Sequence, residues 1–422
     1  MKRVSYSLLA AIAAVSCVGA PSASVEQGTL TQTNAEEGLH SNYPDRIEKM
    51  SAAMQRNNRY ESEYPMENEL YTNFKYTEIT GLDYNNSDGT ISRRDPSKVL
   101  FENGKYYVWY THRETRIPHS SETGSEADPY TDWDLSEIWY ATSEDGFHWE
   151  EQGVAIERMP KGQFGSRSVS TADVLKFEGK YYMYYQAFVE PEGGVWQDVC
   201  PVSVSVAESP DGPWTHCGDQ VVPKGAVGEW DENLIHDPFP LVHNGQIYLY
   251  YKSGYNHRDC GGLAIADSPT GPFRKYEKNP VLNSGHEVSL FPFREGVAAM
   301  VIKAGNEHYT IQYAPDWVNF EIASIVTLMP NAPAGFIADA FTDTGDGRGI
   351  SWGLCHFLGR GEGRNHSILM RFDCDLSLDV DDPQMKAQQV DMPYEIYIKH
   401  GLSEKQKERI KLQNEMVKAS QK

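Results

Sequence analysis

The chain has 422 residues, 25 Tyr, 9 Trp, a charged fraction of 23% and a formal net charge of −22. That length exceeds one compact domain of ordinary size but suits a barrel or propeller built as a single unit. The charge argues against nucleic-acid and anionic-membrane partners, because like charges repel at long range. The Tyr and Trp content suits β-strands and flat sugar-binding surfaces.

In chain order, an export signal comes first. Lys2 and Arg3 precede an apolar run over 8–18 that is too short to span a bilayer, so 1–24 reads as a signal peptide. Cys17, after Ala14-Val15-Ser16, offers a lipoprotein exit, and cleavage near Ser24 a soluble one. Both predict an exported protein: a periplasmic or outer-membrane lipoprotein, or a secreted form. No later stretch is long and apolar enough for a transmembrane helix. Residues 25–70 read as a polar leader and a short helix over 44–59, with Ile47, Met50 and Met54 on one face. At the other end, Ser403 with Gln406 makes a capping-box signal for a helix within 396–422. Neither apolar stripe is wide enough to form a core alone, so each helix should dock on the body or on another subunit.

Between them, 71–395 is β and repetitive. Segments 95–110, 171–185 and 237–251 each give a strand, a turn at Asn103-Gly104, Glu178-Gly179 or Asn244-Gly245, and a Tyr-rich strand. Each is followed by a second hairpin, at 141–149, 207–214 and 266–273. A fourth unit starts at Glu287 and ends near Trp317; a weaker fifth runs from Gly335 through 350–357 and 367–372. Two hairpins per unit make a four-stranded blade, which predicts an all-β, five-bladed β-propeller with flanking helices. Two stacked β-sandwiches are the alternative. Beyond Cys17, the cysteines are Cys200, Cys217, Cys260, Cys355 and Cys374; Cys200 and Cys217 are placed to pair across neighbouring strands, or all five serve as small buried hydrophobes.

Asp95, Asp237 and Glu287 stand eight or nine residues before the turn glycines Gly104, Gly245 and Gly296. First strands line a propeller's central channel, so the three carboxylates should converge on one funnel. They could hold a structural Ca²⁺ or Mg²⁺ near the axis, or cap turns. Glycosidic cleavage, which needs one group to activate water and another to protonate the leaving oxygen, accounts for them better. His286, directly before Glu287, is a candidate proton donor, since adjacent carboxylates favour its imidazolium form. His236, before Asp237, is a weaker one. No HExxH or phosphate-binding loop is present, so the chemistry requires no cofactor.

Arg93-Arg94-Asp95-Pro96-Ser97, Trp133-Asp134, Glu137-Ile138-Trp139, His236-Asp237-Pro238, the 264–269 stretch and Ser284-Gly285-His286-Glu287-Val288 occur together in this order. This combination, from about Ser51 to Phe357, resembles glycoside hydrolase family 117, whose characterised members are α-1,3-(3,6-anhydro)-L-galactosidases. The resemblance implies Asp95 as general base with inversion at the anomeric carbon, Asp237 as transition-state stabiliser, His286 as acid and Glu287 beside it. It implies Arg94, Trp133, Thr171, Asp173, His236 and Lys252 as substrate-binding residues, and an oligosaccharide partner. The Ser51-Ala52-Ala53-Met54-Gln55-Arg56 run resembles the family's N-terminal helix that is exchanged between subunits, which implies a homodimer. One departure stands out: Thr171-Ala172-Asp173 replaces the Thr-Pro-Glu of characterised members. Two other readings remain at this point, an arabinanase- or arabinofuranosidase-like propeller without a catalytic histidine, and a non-catalytic carbohydrate-binding propeller.

Overall fold

The structure is a computed structural model; it describes residues 51–53, 69–120, 124–190, 200–255, 258–302, 307–358, 366–379, 383–386 and 404–420. The expected signal peptide, the leader, and most of the 44–59 helix lie outside those residues.

After β1 (Lys75–Glu78), the first blade holds β2 (Ile91–Arg94), β3 (Leu100–Glu102), β4 (Lys105–Glu114), β5 (Glu137–Ser143) and β6 (Glu150–Ile156). The second holds β7 (Ser168–Phe177), β8 (Lys180–Phe188), β9 (Val202–Ala207) and β10 (Thr215–Gly218). The third holds β11 (His236–His243), β12 (Gln246–Tyr255), β13 (Arg258–Ala266) and β14 (Arg274–Lys275). The fourth holds β15 (Ser289–Arg294), β16 (Gly296–Val301), β17 (Thr310–Ala314) and β18 (Glu321–Ile325). The fifth holds β19 (Asn331–Gly335), β20 (Gly347–Leu358) and β21 (Ser367–Ser377). Within each blade successive strands pair antiparallel, except that in the first blade β2 and β3 both pair with β4, and a short pairing of β15 with β20, Phe293 opposite Arg348, joins the fourth blade to the fifth. The fold is the five-bladed β-propeller that the repeated hairpins predict.

Two differences from the sequence reading concern the last blade. It begins at Asn331 rather than Gly335, because its inner strand lacks the acid that opens the first, third and fourth units. Its outermost strand is β1, from before the first blade, with Tyr76 opposite Phe372. No repeat signal announces a strand borrowed from so far away in sequence.

The Tyr-rich second strands are buried on both faces because each blade is packed between two others; from Tyr106 to Arg113 every residue of β4 is buried. Trp109 stacks between Tyr107 and Tyr140 and meets Trp214 edge-on. Such aromatic pairs carry both large apolar area and defined geometry. After β19 the chain crosses to the far end of the axis. There Phe341 packs against three separate apolar cores belonging to different blades. Only a side chain near the axis reaches all three, so Phe341 closes that end of the channel.

Helix α1 (Pro383–Lys386) and helix α2 (Glu404–Ser420) follow the propeller. α2 docks on the body as its weak apolar stripe requires: Arg409 pairs with buried Asp375, Gln413 accepts from Ser351 Oγ at 3.2 Å, and Asn414 accepts from Tyr106 at 2.7 Å. Of the N-terminal helix, Ser51 Oγ donates to the Pro280 carbonyl at 2.8 Å and Ala53 is fully buried. Cys200, Cys217, Cys260, Cys355 and Cys374 are all free thiols, so the bridge considered between Cys200 and Cys217 does not form: Cys200 is buried and Cys217 is exposed. No described helix is long and apolar enough to cross a membrane.

Candidate active site

Each inner strand carries one residue in the left-handed backbone region where the chain reaches the open end of the axis. They are Asp95 (φ 47°), Thr171 (48°), Asp237 (47°), Glu287 (57°) and Ala332 (44°). Pairing registers break at these points in three blades, between Ser170 and Asp173, His236 and Phe239, and Asn331 and Ala334. In the first blade the break separates β2 from β3, and in the fourth Glu287 stands just ahead of β15. A bulge re-aims a side chain that regular pleating would send into the sheet face. Non-glycine residues with positive φ carry local strain, and five at equivalent places mark a built site. Each is followed by a small or rigid apolar residue: Pro96, Ala172, Pro238, Val288 and Pro333.

These five corners surround a pocket of about 290 Å³. All residues selected from the sequence line it, including Arg94, Trp133, Asp173, His236, Lys252 and His286. Arg94 Nε donates to Asp95 Oδ2 at 2.8 Å, while its Nη2 lies 3.7 Å from Glu287 Oε1 and its Nη1 4.0 Å from Asp132 Oδ2. One guanidinium thus spans three carboxylates, which is what permits them to converge. Thr171 Oγ1 also donates to Asp95 Oδ2, at 3.4 Å. Burial by itself raises the pKa of Asp95, but Arg94 and His356 outweigh it and hold the carboxyl well below the usual range.

Across the pocket, Lys252 Nζ and His286 Nδ1 lie 3.4 and 3.5 Å from Asp237 Oδ2, and 3.4 Å from each other. Burial raises the Asp237 pKa; Lys252 and His286 reverse that and keep it well below the usual range, while the same carboxylate lifts Lys252 despite its own burial. His286 is the more open of these groups, with its side chain 32% exposed and its Nε2 4.0 Å from Glu287 Oε1. Its position depends on Gly285, where a Cβ would collide with the Cys260 carbonyl. Trp133 stacks on Phe188 with ring centres 4.7 Å apart, and Phe188 meets His236 edge-on. The neighbours of Trp133 are clamped, Asp132 by Arg113 at 3.2 Å and Asp134 by Arg167 at 2.5 Å, so the indole is held as a fixed wall.

Asp173 is at the wall of the pocket, but its carboxylate turns to Lys98. Its Oδ1 accepts from the Lys98 and Val174 backbone amides at 2.9 Å each, and its Oδ2 pairs with Lys98 Nζ. Burial pushes Asp173 up and Lys98 down, each toward its neutral form. Lys98 Nζ sits 4.2 Å from the centre of the Phe239 ring and 5.8 Å from that of Phe341. The pair is therefore the pocket floor, and Phe341 lies beneath it.

Sequence reading missed His356, on β20. Its Nδ1 lies 3.4 Å from Asp95 Oδ1 and accepts from the Asp95 amide at 3.3 Å, and its Nε2 lies 3.9 Å from Glu287 Oε1. Gln186, whose Oε1 accepts from the Asp237 amide at 3.3 Å, was missed too. Both sit on second strands, where the repeat marks aromatic packing rather than chemistry. Asp95, Glu287 and His356 offer ligand atoms within 4.8 Å of one another. Two carboxylates and an imidazole suit a small divalent cation, although Arg94 already brings positive charge to the same two carboxylates.

The family model for glycosyl hydrolases family 43 matches residues 94–259. A family 117 glycoside hydrolase produced by the marine bacterium Zobellia galactanivorans superposes with a TM-score of 0.75 and 58% identity, covering 78% of this chain and 98% of that one. A further glycoside hydrolase shares the fold at 12% identity and a TM-score of 0.52, covering 73% of this chain and 92% of that one. An uncharacterized protein of Mycobacterium tuberculosis is 26% identical over 186 residues, 42% of this chain; the chain spans about half the length of the curated relatives it matches. With the five-cornered pocket in place and identity of this extent to the Zobellia enzyme over nearly its whole length, the chain belongs to glycoside hydrolase family 117.

Proposed function

We propose that this glycoside hydrolase is exo-acting and inverting, and releases 3,6-anhydro-L-galactose from the non-reducing end of neoagaro-oligosaccharides. The observation that carries the reading is a pocket ringed by Asp95, Asp237, Glu287 and His286, with the Lys98–Asp173 pair as its floor and Phe341 packed against Lys98. A pocket with a floor admits a chain end and excludes a through-running polymer.

In the proposed reaction, Asp95 takes a proton from water as the water oxygen bonds to the anomeric carbon. The glycosidic C–O bond breaks on the opposite face, and His286 gives its proton to the departing oxygen. Asp237, ionised between Lys252 and His286, orients the imidazole and stabilises positive charge building on the sugar ring. Arg94 keeps Asp95 ionised. Trp133 offers an aromatic face to the sugar beyond the cleaved bond. A divalent cation held by Asp95, Glu287 and His356 would add fixed positive charge beside the ring. The same reading includes export to where agar fragments are met, and pairing of two chains through the 51–56 helix.

Incubation with neoagarobiose, followed by NMR of the first-formed sugar, tests it. Release of anhydrogalactose with inverted anomeric configuration is expected. Retained configuration overturns the mechanism, and absence of any release overturns the substrate. Near-normal turnover in His286→Gln would shift the proton donor to one of the three carboxylates.

A further inference from the structure

The five corners of the pocket are equivalent in backbone but not in chemistry. Four carry a polar group, in Asp95, Thr171, Asp237 and Glu287. The fifth carries only the methyl of Ala332, followed by Pro333, and both line the pocket. Ala332 is 9% exposed with φ at 44°, a conformation that glycine adopts at no steric cost and alanine does not. The strained residue is thus one that lines the pocket and brings no polar side-chain group to it. Val288, from the adjacent corner, extends the same apolar wall. A sugar hydroxyl turned to this side would leave water without a partner in return, whereas a ring edge made of C–H groups would lose nothing.

We infer that Ala332 is a specificity-determining residue: it receives an edge of the terminal sugar that has no free hydroxyl, because the hydroxyl is absent or tied up in an ether. The inference deepens the proposed function and rests on that reading for the site's occupant. Ala332 makes no contribution to bond breaking; it sorts sugars by what one edge carries.

The test is sugar binding followed through tryptophan fluorescence, which needs no turnover. Wild-type protein is titrated with L-galactose, 6-deoxy-L-galactose and 3,6-anhydro-L-galactose. The two sugars lacking a free hydroxyl at carbon 6 should bind about tenfold more tightly than L-galactose, the ratio expected for one buried hydroxyl left without a partner. Ala332→Ser supplies that partner and should reduce the ratio to about two or less. Ala332→Gly removes the strain and the methyl, admits water, and should also reduce it; this variant guards against a serine substitution that fails to fold. An unchanged ratio in both variants, with wild-type binding intact, overturns the inference and leaves the proposed function standing. If no L-sugar binds, the proposed substrate fails, and D-galactose against 6-deoxy-D-galactose makes the same comparison. Failure of both pairs to bind overturns the inference as well.

Discussion

The two ends of the propeller axis are made by the same inner strands and solve opposite problems. At the open end the inner strands carry left-handed corner residues, and the corners bring together Asp95 and Glu287, bridged by Arg94, and Asp237, held by Lys252. At the closed end the inner strands of the first three blades finish in turns whose left-handed residues are Asn103-Gly104, Glu178-Gly179 and Asn244-Gly245, and Phe341 blocks the axis. Left-handed geometry at the closed end only reverses the chain, which is routine in hairpins. At the open end it aims chemistry inward. The acids differ accordingly. Asp95 is pulled down by Arg94 and His356, whereas Asp339, in the loop that crosses the closed end, is pushed up to about 7 by burial.

The largest contrast should come from Asp95→Asn. It keeps the shape of the corner and removes the basicity, so turnover should fall by roughly 10³-fold with little loss of sugar binding. Measuring kcat and binding separately checks this; equal losses in both would reduce Asp95 to a binding group. Because Asp95 is held low, its ionisation also favours the folded state above the ordinary carboxylate range, and that contribution is lost as acid reaches its folded pKa.

Gly285→Ala comes next. The added methyl meets the Cys260 carbonyl, and the shift should move His286 rather than unfold the blade. Displacement of one reacting group by about 1 Å costs on the order of 10²-fold in kcat. A variant with normal kcat would mean that the position of His286 does not matter to the reaction.

The smallest effect belongs to the closed end and has the opposite pH sense. Asp339 Oδ2 accepts from the Arg348 amide at 2.8 Å, and burial penalises the carboxylate only in the folded state. Stability from its protonated form is complete below the unfolded carboxylate pKa and is lost as pH rises through about 7. Asp339→Asn keeps the acceptor and removes the charge. It should stabilise the protein by about 1–2 kcal/mol at pH 8 and by almost nothing at pH 4, with activity unchanged. Thermal unfolding at the two pH values reads this directly, and equal shifts at both would refute the assignment.

The sequence exposed what local rules dictate. Asn-Gly turns, Tyr-rich second strands and the fixed spacing from acid to turn glycine were enough to count blades and to place three corners. What stayed hidden depends on closure of the ring. Ala332 carries no acid, so nothing in Asn331-Ala-Pro-Ala-Gly335 marked it as the fifth corner. His356 lies on a second strand and reaches Asp95 only because the fifth blade comes to rest beside the first. The tie between Asp173 and Lys98 also needed two blades in contact, which is why Asp173 read from sequence as a sugar ligand rather than as part of a floor.

β1 has a consequence for how the molecule is made. Its partner β21 is the last strand of the propeller, so as the chain is synthesised the first strand has to wait until every blade has emerged. In that interval β1 presents an unpaired edge, and its sequence, Lys-Tyr-Thr-Glu, places a charge at each end of it. Charged edges resist pairing with the wrong chain. Ring closure is therefore a late and long-range event, of the kind that slows folding. The blade it completes carries both Ala332 and His356, so two of the groups around the pocket belong to the sheet that closes last.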